Sequence, residues 1–380
     1  VLVRRNLVLK QMLENRFITQ EEYEAALAES LEDALTTPEE REAMMEQGRG
    51  FWGPNEFLAP YFVEEVRQRM MGSGAGQVSK KELLEGGLEI YTTLDMDLQR
   101  AAEQVLEKHL QEFDRQKLES LKKAGKEDEF VSVSGALVCI DNRPGYEGHV
   151  RALVGGRDWS KEKFNTVTQA RRQLGSSVKP YVWAAAIASG LTPSHIEVDG
   201  PYIRIDPYTG VRWEPQNFEG DFLGPITLRR ALEKSRNIIS VRLVERLREP
   251  MVIAMMRRAG IRESLIPDFV GLAVALGTPS VTVLEQCAAF STFAKNGAYA
   301  PPIVIKEIRN PDGSIRYKSE IHLEREAIRP DVAYVLTYLM EGVTTWGTGA
   351  QAKALERPRA GKTGTSNDSR DVWFCGYTPQ

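Results

Sequence analysis

Gly175-Ser176-Ser177-Val178-Lys179-Pro180-Tyr181 leads into an apolar run, Val182-Trp183-Ala184-Ala185-Ala186-Ile187. Pro180 fixes where a helix can begin. The first four N–H groups of a helix have no intrahelical partner, so a proline in the first turn forfeits no hydrogen bond. A helix starting near Ser176 places Pro180 in that turn, and residues three apart then share a face. Ser176 and Lys179 therefore point the same way, with the serine hydroxyl at the positive end of the helix dipole. A serine beside an amine that can take its proton is the start of a nucleophile.

The spacing alone carries little weight. Ser-x-x-Lys also occurs at Ser120/Lys123 and Ser160/Lys163, both in charged stretches that read as solvated surface. Two further elements change its meaning. Ser235-Arg236-Asn237 stands between two helical patterns, and Lys362-Thr363-Gly364-Thr365 follows Ala360-Gly361 on a strand-like run. Taken singly, Ser235 and Asn237 read as a helix-capping pair, and Lys362 as an exposed strand lysine. Taken together and in this order, the three elements are hard to attribute to coincidence.

The rest of the chain has an ordinary soluble composition with ample core. Of 380 residues, 42% are hydrophobic and 27% charged; 49 Lys and Arg against 53 Asp and Glu leave a net charge of -4. That balance gives no reason to expect a nucleic-acid partner. Cys139, Cys287 and Cys375 lie far apart in apolar stretches, which predicts buried free thiols. No run of apolar residues is long enough to span a bilayer. The four histidines have no motif context, no Gly-x-Ser-x-Gly elbow occurs, and no His-Glu-x-x-His metal spacing is found. Neither a metal nor another cofactor is expected. The chain opens at Val1 inside a helical pattern and closes just after a strand-like run, so both ends read as cut.

Several elements can be placed. Thr19 and Glu22 form a capping box, and Thr37-Pro38-Glu39-Glu40 is a helix start. An amphipathic helix runs from Ala59 to Met70, and Gly72-Ser73-Gly74-Ala75-Gly76 is a flexible joint. Asp95 caps a long helix whose apolar residues recur at three-and-four spacing. The pattern changes near residue 130, where strands 133–140 and 149–154 begin a new domain. Residues 191–225, rich in Pro, Gly and Asp, read as irregular surface. Thr227 caps a short helix, 238–247 is a second, and 281–295 a buried third; 303–308 and 314–317 pair around Pro311-Asp312-Gly313. Strands at 359–365 and 372–377 flank the polar turn Ser366-Asn367-Asp368-Ser369.

The run from Gln169 to Pro180, with Gly361-Lys362-Thr363-Gly364-Thr365 and Val372-Trp373-Phe374-Cys375-Gly376-Tyr377-Thr378-Pro379, closely resembles the class A penicillin-binding proteins. Phe17-Ile18-Thr19-Gln20-Glu21-Glu22-Tyr23 looks like the tail of that family's glycosyltransferase domain, and Gly86 to Gln99 like its linker. Leu174, Val178 and Ser366 depart from the Pro, Phe and Thr usual there. The resemblance implies an α+β penicillin-binding transpeptidase fold, related to serine β-lactamases, with an antiparallel sheet between helical layers and an N-terminal helical linker region. One sheet should hold 133–140, 149–155, 359–366 and 371–377. Residues 1–35 would be the glycosyltransferase remnant, 36–130 the linker and 131–380 the transpeptidase domain.

The same resemblance implies peptidoglycan cross-linking. Ser176 would be acylated by a D-Ala-D-Ala stem peptide and relieved by an amine of a second one, and β-lactams would acylate it as mimics. Lys179 would be the base, Ser235 a proton relay, Asn237 a partner of Lys179 or the substrate amide, and Lys362 a nearby cation. The N–H groups of Ser176 and Thr365 would form the oxyanion hole, and Thr363, Gly364, Thr365 and Ser366 would line the substrate site. A missing N-terminal membrane anchor, an extracytoplasmic location and other cell-wall synthesis partners are implied too. A D,D-carboxypeptidase or β-lactamase-like hydrolase shares the acyl-enzyme. A silent penicillin-binding sensor would be expected to lack Lys179, Ser235 or Lys362, and all are present.

Overall fold

Side-chain caps start several of the helices that the sequence places. Asp95 accepts the N–H groups of Asp97 and Leu98 at the head of helix Met96–Lys123. Thr227 caps Leu228–Glu233, and Thr282 with Glu285 forms a full capping box on Val283–Ala294. The computed structural model describes residues 2–28, 58–72, 76–205, 210–262, 266, 270–366 and 370–379. The start signal at Thr37-Pro38-Glu39-Glu40, the joint's Ser73-Gly74-Ala75 and the turn's Asn367-Asp368-Ser369 lie outside those residues.

The chain divides into two units, residues 1–58 and 59–380. In the first, helices Leu2–Glu14 and Gln20–Ala28 are described, the second entered through the Thr19/Glu22 box. The second unit is mixed helix and strand. Its larger core surrounds helix Lys179–Ala188, whose residues from Lys179 to Ala186 are all buried. Helices Leu228–Glu233, Asn237–Leu247, Glu249–Arg258 and Pro330–Thr345 contribute side chains to the same cluster. The two large polar-tipped residues of this helix keep partners: Tyr181 donates to Gln286 Oε1 at 2.8 Å and Trp183 Nε1 to the Leu228 carbonyl at 2.9 Å.

The change of pattern near residue 130 falls inside this second unit. Helix Pro60–Met71 places Tyr61, Phe62, Val66 and Met70 in one core cluster with Val150, Leu153 and Val304. Gln99 of the long helix donates to the Leu153 carbonyl at 3.0 Å and accepts the Leu153 N–H at 2.8 Å. Its side chain thus pairs with strand Val150–Val154 as a neighbouring backbone would. Strand Glu89–Thr92 pairs antiparallel with Ile305–Arg309, which also takes Ile315–Lys318.

The expected single sheet is instead two ribbons. Leu137–Ile140 pairs with Val150–Val154, and Ala360–Thr365 with Val372–Tyr377, both antiparallel. Among the described residues no hydrogen bond joins the two pairs into one sheet. Both contact helix Val283–Ala294, and a cleft of about 300 Å³ lies between them, lined by Val138, Ile140, Cys287, Phe290, Phe374 and Tyr377. Side-chain packing on a shared helix, rather than a continuous hydrogen-bond ladder, relates the ribbons. The thiols are free, but Cys139 is exposed and the other two partly so. Alternation along an edge ribbon turns Cys139 outward while its neighbour Ile140 faces in. Among the described residues no helix is long and apolar enough to cross a membrane, and no acidic, His or Cys group could hold a metal.

Candidate active site

The turn carrying Ser176 differs in detail from a plain helix start. Gly175–Val178 is a 3-10 turn, and the α-helix begins at Lys179 with Pro180 in its first two positions. Residues three apart eclipse in a 3-10 turn, so Ser176 and Lys179 still share a face. The tighter turn follows from close packing. Gly175 has φ +49°, and a Cβ there would lie 2.2 Å from the Thr365 carbonyl oxygen. Gly364 is as constrained, since its Cβ would meet the Leu174 carbonyl oxygen at 2.8 Å and Ser177 Cβ at 2.9 Å. The strand carrying Lys362 therefore lies directly against the turn carrying Ser176.

The two serines of that turn have different environments. Ser177 is buried, donates to the Leu174 carbonyl at 2.7 Å and accepts from Gln286 at 3.1 Å. Ser176 is half-buried, and its hydroxyl has no hydrogen-bond partner among the described residues. The other two Ser-x-x-Lys pairs are exposed at all four positions.

Ser235 lies in a turn that glycine usually fills. Its N–H donates to Leu232 O at 3.0 Å, and that of Arg236 to Ala231 O at 2.9 Å, the bond pair of a Schellman motif. Ser235 occupies the left-handed position with φ +54°. Neither the Ser235 nor the Asn237 side chain caps a helix. Asn237 is the first residue of helix Asn237–Leu247, and the cap position holds Arg236 without a side-chain cap. Their polar atoms face the lysines.

Lys179 and Lys362 are both fully buried. Lys179 Nζ donates to the Ser235 carbonyl, lies 3.1 Å from Ser235 Oγ, and donates to Asn237 Oδ1 at 2.8 Å. Lys362 Nζ lies 2.9 Å from the same Ser235 Oγ and donates to the Thr363 carbonyl at 2.9 Å. Two amines thus meet on one hydroxyl. Burial, then the charge of Lys362, holds Lys179 well below the ordinary lysine range. Burial pushes Lys362 down to about 7. Such a pair titrates together, and two neighbouring ammonium ions are disfavoured.

Thr363 and Thr365 are half-buried on strand Ala360–Thr365. Thr363 Oγ1 lies 2.6 Å from Thr348 Oγ1, and the Thr348 N–H donates to Glu233 O at 3.1 Å. The Ser366 hydroxyl accepts the Asp371 N–H at 2.9 Å and so closes its turn. Thr348 carries one signal in the sequence, its place between Gly347 and Gly349.

An α+β unit on which a Ser-x-x-Lys turn, a Ser-x-Asn turn and a Lys-Thr-Gly strand converge is the penicillin-binding transpeptidase fold. Residues 135–380 match the family described as penicillin binding protein transpeptidase domain, and the chain belongs to that family. Penicillin-binding protein 1A of Neisseria lactamica is 39% identical over 253 residues, 65% of this chain and 31% of the relative. That of Aquifex aeolicus is 30% identical over 447 residues, 100% of this chain and 57% of the relative. The chain therefore spans less than two thirds of the length of these relatives. Penicillin-binding protein 1A from Haemophilus influenzae shares the fold with a TM-score of 0.73 at 22% identity, over 99% of this chain and 70% of that one. PonA1 from Mycobacterium tuberculosis in complex with penicillin V gives 0.67 at 25% identity, over 86% and 82%.

Proposed function

We propose that the chain carries a peptidoglycan D,D-transpeptidase that works through an acyl-enzyme on Ser176. The observation that carries this reading is the Ser235 hydroxyl held between Lys179 and Lys362. A neutral Lys179 has two N–H groups for Ser235 O and Asn237 Oδ1, which leaves its lone pair for a hydroxyl proton. Ser176 attacks the carbonyl of the penultimate D-Ala while Lys179 takes its proton. Ser235 relays a proton to the leaving amine of the last D-Ala. An amine of a second stem peptide then attacks the acyl-enzyme, and Ser176 leaves with a proton returned through the same groups. Lys362, with the hydroxyls of Thr363 and Thr365, holds the substrate carboxylate.

The ladder supports the oxyanion assignment. Ser366 N–H bonds to Asp371 O, so alternation along an antiparallel pair turns the Thr365 N–H away from strand Val372–Tyr377. That direction is the side where Gly175 packs on Thr365. The Ser176 N–H completes the pair of donors, each worth about 3 kcal/mol in the transition state.

In function, residues 1–35 would be the end of a glycosyltransferase domain, 36–130 a linker and 131–380 the transpeptidase part. An N-terminal membrane anchor and an extracytoplasmic location go with that division. Labelled penicillin followed by peptide mass spectrometry tests the central claim. The label should appear on the peptide containing Ser176 and vanish in Ser176→Ala; an adduct that persists in that variant overturns the assignment.

A further inference from the structure

Arg236, the middle residue of the Ser-x-Asn turn, is 2% exposed and its side chain lies in a polar cluster. Its Nε donates to Asp199 Oδ2 at 2.7 Å, and Asp199 is fully buried. Asp199 Oδ2 also accepts the Leu223 N–H at 3.0 Å, and its Oδ1 accepts Asn217 Nδ2 at 2.8 Å. Arg236 NH1 lies 2.8 Å from Asp221 and 3.2 Å from Glu219. The segment that reads as irregular surface thus wraps one buried guanidinium.

Asn217 turns this cluster toward the site. Its Oδ1 accepts the N–H groups of Asn237 at 2.8 Å and Ile238 at 3.2 Å. Helix Asn237–Leu247 is therefore capped from another segment, since its own cap residue has its side chain engaged elsewhere. Next door, Asn237 Nδ2 donates to the Gln216 carbonyl at 2.9 Å. That bond decides which end of the amide faces Lys179: with the nitrogen taken, the oxygen must.

We propose that Asp199, Asn217 and Arg236 form a positioning unit for acyl transfer, holding the turn that presents Ser235 and Asn237 to Lys179. The proposal rests on the acyl-transfer reading above. Its content is that the unit acts on the chemical step and not only on the stability of the fold. The left-handed Ser235 supports this, because a turn strained at one residue needs fixed neighbours on the next.

Asn217→Ala removes the cap and the link to Asp199 without leaving a new charge. Competent sites are counted with fluorescent penicillin, and acylation is followed against its concentration by stopped flow. The rate per competent site at saturation should fall tenfold or more, with the half-saturating concentration little changed. Tyr202→Phe is the control. It cuts the 2.6 Å bond to Glu245 on the same helix, outside the unit, and should leave the rate per site unchanged. A purely structural cluster would lower the thermal midpoint and the number of competent sites but not the rate per site, and that result overturns the proposal. If Asn217→Ala gives no folded protein, Arg236→Lys, which keeps a cation and loses the planar fork, is read by the same criterion with a fall of at least threefold expected. Failure of the unaltered protein to be labelled at Ser176 would instead remove the acyl-transfer reading itself.

Discussion

At the scale of single residues, Ser235 holds two contrary properties. It sits in the left-handed region, which costs an L-residue about 1 kcal/mol, and its hydroxyl is the meeting point of two buried amines. Ser235→Gly and Ser235→Ala both remove the hydroxyl, but only glycine relaxes the backbone. Glycine should be the more stable variant by about 1 kcal/mol in urea unfolding, with acylation lost in both. The lysines make a second test. On the proposed mechanism acylation needs Lys179 neutral, so the second-order rate constant should fall as pH drops through its depressed pKa. It needs Lys362 charged, so the rate constant should fall again as pH rises through about 7 in the free enzyme. Lys362→Arg keeps its charge and should erase the alkaline limb of the pH profile; an unmoved limb would assign it to another group. The candidate residues Ser176, Lys179, Ser235, Asn237 and Lys362, whose segments the structure brings together, stand out in the sequence because each comes with a local frame: a proline-started helix, a break between helices, a strand beside a turn. Asp199 and Asn217 have no such frame. They act on Arg236 and Asn237 across a loop whose path only tertiary structure reveals.

At the scale of elements, the site depends on how closely the strand Ala360–Thr365 approaches the Gly175–Val178 turn. Gly364 is the contact that permits it. Gly364→Ala would place a methyl group 2.8 Å from the Leu174 carbonyl oxygen and 2.9 Å from Ser177 Cβ, and neither can retreat without moving the nucleophile turn. Overpacking of this kind costs about 1 to 3 kcal/mol. Chemical unfolding should show that loss, and acylation should fall further than the folded fraction does, because strand and turn are forced apart at the reacting serine. Several helix starts were readable from caps. The pairing of Glu89–Thr92 with Ile305–Arg309 was not, since alternation marks a strand without naming its partner. The split of the expected sheet was hidden for the same reason: the strands lie where the sequence places them, except that 133–140 begins only at Leu137, but their neighbours are set by what packs beneath them.

At the scale of the whole molecule, residues 59–380 bring together a site whose parts lie far apart along the chain. Ser176, Ser235 and Lys362 come from three segments that meet only once the large core around helix Lys179–Ala188 has formed. The two ribbons on helix Val283–Ala294 bear on something else, how strand edges are presented to other chains. Strand Val372–Tyr377 borders the cleft with Phe374 56% exposed, and strand Leu137–Ile140 borders it from the opposite side. Unpaired strand edges are templates for other chains, and a lysine on such an edge discourages the match. Light scattering should rise with concentration, and Phe374→Lys should move its onset upward while penicillin labelling stays the same. The limit on how far a solution of this protein can be concentrated would then be set between the ribbons, well before the catalytic groups are affected.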